Sequence, residues 1–115
     1  WNINSFCEFF MQIYTKYEGD YRKAALKFQK EREVFKKELM SVPFLRVFDS
    51  ESNYFLCEVL PPYGSYGLAV RLLNEHNILI KDCSTKKVFG GKSYIRLAIR
   101  NREDNRRLVE ALKTL

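Results

Sequence analysis

In the stretch "YIRLAIR", residues 94–100, side chains alternate between the two faces of a strand. Ile95, Leu97 and Ile99 fall on one face; Tyr94, Arg96, Ala98 and Arg100 fall on the other. The second face carries two guanidinium groups with a small residue between them. Arginine offers a planar fork of donors that matches a carboxylate through two parallel hydrogen bonds, so this face could hold an acid. Alternation alone leaves a simpler use open. Arg96 could pair with a neighbouring Asp or Glu on an exposed sheet face, an arrangement that usually contributes little.

The rest of the chain offers no self-contained active site. Cys7, Cys57 and Cys83 are odd in number and far apart, whereas metal sites use close pairs and disulfide scaffolds use even counts. They read as free thiols of a reducing compartment. His76, in "NEHN", has no local ligand partner and reads as a helix-end residue rather than a catalytic base. "VFGGKS" lacks the spacing of a phosphate loop, and a strand rather than a helix follows it. "PPYGSYG" holds no nucleophile with a base beside it. No metal ligand set is expected.

The chain has 115 residues, enough for one domain with a core of its own. Hydrophobic residues make up 46% and charged residues 30%, which excludes a disordered chain. No apolar run is long enough to span a bilayer, and no basic stretch followed by an apolar one opens the sequence. No membrane partner is expected, and a cytoplasmic location is. The net charge of +6 permits attraction to nucleic acid or anionic substrates, although charge alone is a weak guide.

The elements that must position Arg96 follow from periodicity. In residues 1–17, Phe6, Phe10, Ile13, Tyr14 and Tyr17 recur at helical spacing, and Asn4 or Ser5 can cap the start. Trp1, Cys7, Phe9 and Met11 make the other side apolar too. A helix apolar all round is expected to be buried on both sides, so this one suggests a larger protein around it. "YEGD" is expected to break that helix. A second, amphipathic helix then buries Tyr21, Ala24, Ala25, Phe28, Phe35 and Leu39 and ends at Pro43. "FLRVF" and "YFLCEV" read as strands, "YGLAVRLLNEH" as a helix capped by Ser65, and "NILIKD" and "YIRLAIR" as strands. "REDNRRLVEALKTL" closes the chain as an amphipathic helix. Strands adjacent in pairs between helices predict an α/β fold of the two-layer α+β type. It has a small mixed or antiparallel sheet of about four strands, with helices mainly on one face.

"NYFLCEV", "LLNEHNILIKDCS" and "YIRLAIRNREDNRRLVEALKTL", in this order and spacing, resemble the carboxy-terminal part of fold-type I pyridoxal-phosphate enzymes. The nearest group is the class I/II aminotransferases related to histidinol-phosphate aminotransferase and threonine-phosphate decarboxylase. "WNINSF" resembles the segment that re-enters the small domain of that group. The resemblance covers essentially all of residues 1–115. It implies that the chain is the C-terminal small domain of such an enzyme, with residues 1–17 packing against the large cofactor-binding domain.

In that family the arginine of the "IRL" strand grips the substrate's α-carboxylate, and the match falls on Arg96. Lys81, in "ILIKD", stands where relatives with phosphorylated substrates often carry an arginine for the phosphate. Lysine keeps the charge and loses the fork. The resemblance further implies pyridoxal phosphate in the parent enzyme, an amino-acid substrate, a homodimer and amino transfer to a 2-oxo acid. The Schiff-base lysine belongs to the large domain, so this segment alone is expected to bind no cofactor and to be inactive. Two alternatives remain: a decarboxylase of the same family, and a free-standing basic module for nucleic acid or acidic peptide.

Overall fold

The computed structural model describes residues 2–115; Trp1, one of the apolar residues expected in the first helix, lies outside them. The chain divides into two compact units, Trp1–Lys30 and Glu31–Leu115. Helix α1 spans Ser5–Met40, so the break expected at "YEGD" does not occur. A glycine inside a helix costs only about 1 kcal/mol against alanine, which strong helix formers on either side outweigh. The Glu18–Arg22 pair, 2.7 Å apart, also bridges Gly19 on the helix surface.

In the first unit, the Asn4 side chain caps α1 by accepting from the Cys7 amide at 2.8 Å. Phe6, Phe9, Phe10 and Met11 are exposed. Tyr21 is 61% exposed, which corrects the expected stripe: of its six residues, Phe35 and Leu39 are the fully buried ones.

The second unit is a two-layer α+β fold. Strands β1 (Leu45–Val47), β2 (Tyr54–Val59), β3 (Lys81–Asp82) and β4 (Tyr94–Ala98) form one sheet in the order β1-β2-β4-β3. Every pairing in it is antiparallel, which settles the choice between a mixed and an antiparallel sheet. Leu45, Phe55, Cys57, Val59, Ile95 and Leu97 point to one face and are buried. Against them lie Phe35 and Leu39 of α1, Leu68 and Leu72 of α2 (Ser65–His76), and Leu108, Val109 and Leu112 of α3 (Arg102–Thr114). Burying each such side chain contributes roughly 1.5–3 kcal/mol. Phe35 and Phe55 meet edge to face with centroids 5.9 Å apart.

Three local features depart from the expectations. Ser65 is the first residue of α2, but the cap position is Gly64 and no side-chain cap bond forms. The expected strand "NILIKD" shrinks to Lys81–Asp82. Asn77 takes the left-handed conformation (φ 54°), and the amides of Asn77 and Ile78 donate back to Leu73 and Leu72. That Schellman-type closure of α2 uses donors a strand would need. His76 does end α2, as expected, and its carbonyl accepts from Arg107 at 2.8 Å. Among the described residues, no helix is long and apolar enough to cross a membrane.

Candidate functional site

The helices cover one face of the sheet and leave the other open. Along β4, Ile95 and Leu97 are buried while Arg96 and Ala98 are exposed, so the alternation read from "YIRLAIR" holds. Register then fixes the neighbours of Arg96. Leu56 of β2 stands opposite it on one side and Lys81 of β3 on the other.

Three arginines can be compared in their use of carboxylates. Arg46 on β1 stands opposite Glu58 in the register and bonds it at 3.3 Å. Arg100, just past β4, bonds Asp104 of α3 at 2.7 Å. Arg96 makes no ion pair with any described carboxylate, and its side chain has no hydrogen-bond acceptor among the described residues. Its one directional contact is with the ring of Tyr54, 5.0 Å from guanidinium carbon to centroid. The simpler use left open by the sequence, a local Asp or Glu partner, is therefore not what this fold gives Arg96.

Arg96 borders two grooves. One, about 590 Å³, has an apolar wall from Tyr66, Val70, Leu73 and Leu79, with Lys81, Asp82 and Arg96 as its charged groups. The other, about 650 Å³, has Phe48, Tyr54, Leu56 and Phe89 along its wall, with Asp49, Glu51, Lys86 and Arg96 as its charged groups. Lys81 and Arg96, separate motifs in the sequence, thus share one groove.

Asp82, beside Lys81, is committed to structure. Burial pushes its carboxyl up, but the Ser84 hydroxyl, the Ser65 hydroxyl and the Ser84 amide all donate to it and hold it below its ordinary 3.8. The Ser84 bonds are 2.5 and 3.0 Å long. The Ser65 hydroxyl thus lies near Asp82, which sets the start of α2 beside β3. Sequence reasoning missed both Tyr54 and this use of Ser65. The "NYF" stretch held the signal for Tyr54, because alternation puts it on the face of Leu56.

Other candidate chemistry is absent among the described residues. No cluster of His, Cys, Asp and Glu could hold a metal. All three cysteines are free, and burial pushes the Cys57 thiol up to about 12, which makes it inert at neutral pH. The lysines are exposed except Lys36, which is half-buried and bonded to Asp49.

Residues 8–112 match the family Aminotransferase class I and II. The adenosylcobalamin biosynthesis bifunctional protein of Leptospira interrogans is 30% identical over 122 residues, which cover 100% of this chain and 13% of that protein. The histidinol-phosphate aminotransferase of Methanococcus aeolicus is 34% identical over 86 residues, 75% of this chain and 23% of that one. A solved decarboxylase from Sulfurospirillum multivorans shares the fold with a TM-score of 0.89 at 27% identity, across 99% of this chain and 32% of its own. The chain thus spans less than a third of the length of each of these relatives. With the α+β sheet, the open face and the family match together, the chain belongs to the class I and II aminotransferases, the pyridoxal-phosphate family that holds histidinol-phosphate aminotransferases and related decarboxylases.

Proposed function

We propose that the chain is the C-terminal small domain of a pyridoxal-phosphate-dependent aminotransferase and that Arg96 holds the α-carboxylate of its amino-acid substrate. The observation that carries this reading is the unspent fork of Arg96. It stands on the open sheet face beside a second cation, Lys81, while Arg46 and Arg100 are matched by carboxylates. A sheet gains nothing from such a pair by itself. A bound acid gives it a use, and Lys81 is placed to contact a phosphate or another acidic group on the same substrate.

In this family the cofactor carries the bond chemistry and the protein orients the substrate. The lysines of this chain do not fit the cofactor's anchor. A lysine that attacks a carbonyl needs desolvation or a cationic neighbour to lose its proton, and the lysines here are solvated or paired. The one exception in setting, Lys81 beside Arg96, is exposed, and in this reading it meets the substrate instead. Cofactor binding is therefore assigned to a large domain of the full-length enzyme, and the apolar side chains of residues 1–17 to the packing surface for that domain. The relatives being far longer than this chain supports that division. A cytoplasmic homodimer fits the same reading.

The test is Arg96→Lys in the full-length enzyme. Charged hydrogen bonds contribute about 1.5–3 kcal/mol each, so kcat/KM for the amino acid falls roughly tenfold to a hundredfold. The amine that lacks the carboxylate loses little. Equal losses on both would make the arginine structural. A second reading, decarboxylation, keeps the same grip and is favoured by the fit of nearly the whole chain to the Sulfurospirillum decarboxylase. Release of carbon dioxide instead of a 2-oxo acid decides between the two.

A further inference from the structure

Tyr54 stands opposite Ala98 in the β2–β4 register, one step along from Leu56, which faces Arg96. A diagonal neighbour on the same face lies within reach of an aromatic ring. The ring uses that reach: the Arg96 guanidinium carbon lies 5.0 Å from its centroid. Tyr54 itself is 37% exposed and borders the groove on the β2 side, whereas Lys81 borders the groove on the β3 side. The two flanks of Arg96 therefore differ. Beside Arg96, the β2-side groove presents the Tyr54 ring, with Asp49, Glu51 and Lys86 also along its wall, and the β3-side groove presents Lys81 and Asp82.

Resting on the reading of Arg96 as a carboxylate grip, we infer that Tyr54 is a positioning residue. Its ring holds the guanidinium in place from the β2 side, so that the donors of Arg96 stay available to an acid that also meets Lys81 across the neighbouring groove. An exposed arginine with a free side chain loses rotamer freedom when it closes on a ligand. A ring beneath the guanidinium removes part of that loss beforehand and leaves the in-plane donors unspent, because a ring face engages the cation without using its N–H groups. Leu56, the neighbour directly opposite, contributes only an apolar side chain. The tyrosine hydroxyl makes no hydrogen bond among the described residues, so the face of the ring and not its polar tip carries the role.

The experiment uses the full-length enzyme and a probe with a carboxylate and no amino group, propionate, with propionamide as the uncharged control. Phenylglyoxal labelling of Arg96, mapped by mass spectrometry, reports how strongly each compound protects the guanidinium. Propionate is expected to protect Arg96 in the wild type and equally in Tyr54→Phe, which keeps the ring. In Tyr54→Leu and Tyr54→Thr the protecting concentration rises about three- to tenfold, the scale of a partly exposed cation–π contact. Propionamide protects in none. Tyr54 is partly solvated, so neither ring-removing variant opens a core cavity, and thermal melting is expected to stay close to the wild type. Unchanged protection in both ring-removing variants overturns the role of Tyr54 and leaves the carboxylate grip standing. A weakening in Tyr54→Phe as large as in Tyr54→Leu also overturns it. Failure of propionate to protect the wild type overturns the grip itself, and this inference with it.

Discussion

Lys81 on β3 and Arg96 on β4 stand directly opposite each other in the antiparallel register, two cations on one open face. Like charges so placed destabilise a sheet by a few tenths of a kcal/mol to about 1 kcal/mol. Two strands away, the same sheet solves the same problem differently, with Arg46 opposite Glu58 at 3.3 Å. The fold can therefore match its charges across strands and does not do so at Lys81 and Arg96. A stability cost held at one place is characteristic of a site shaped for a ligand.

Lys81→Glu should reverse both sides of that balance. The glutamate meets Arg96 across the strands, so the unfolding midpoint in urea rises, by about 0.5–1 kcal/mol in stability. The same pair consumes the fork, so, if the proposed carboxylate grip holds, the KM of the full-length enzyme for the amino acid rises severalfold or more. Lower stability together with unchanged KM would show that the two cations do not act on one ligand.

Asp82 gives a pH dependence. Its folded pKa is lowered below 3.8, so its contribution is complete above that value and is lost as pH falls through the lower, folded one. Asp82→Asn should cost on the order of 1 kcal/mol at pH 7, the scale of the hydrogen bonds that depend on the charge. The gap between mutant and wild type should narrow as pH drops below 3.8 and the wild-type carboxyl takes up a proton. Urea titrations at pH 7 and pH 3 check this, and a gap that widens in acid would contradict it.

Phe35 is 0% exposed, with its ring against Phe55. Phe35→Ala should cost about 3–5 kcal/mol, because the transfer free energy is lost and a cavity is left between α1 and β2. Chemical denaturation measures it. A loss under 1 kcal/mol would mean that this end of α1 does not anchor the second unit.

Gly19 lies inside α1, and a methyl group added there meets no atom within 4 Å. Gly19→Ala should therefore raise helicity and stabilise the first unit by roughly 0.5–1 kcal/mol. Circular dichroism during thermal melting follows the change. A loss of helicity would restore the break that the "YEGD" stretch suggests.

Periodicity by itself determined the strand "YFLCEV", the helix that follows residue 64, the final helix and the two-faced strand that exposes Arg96. These elements obey alternation of 2 or 3.6 residues, and the burial of one face enforces the pattern. The role of Ser65, the length of β3 and the continuity of α1 were decided by tertiary structure or by competing local bonds. Ser65 does not cap α2 and instead lies near Asp82, whose carboxyl it helps to hold down, because β3 brings that carboxylate beside the start of α2. β3 lost its first residues to the closing turn of α2. The candidate site follows the same division. Arg96 and Lys81 were legible as separate motifs, but their pairing depends on the register between β3 and β4, and the contact of Tyr54 with Arg96 on the register between β2 and β4. A register joins residues far apart in the chain, and no local spacing encodes it.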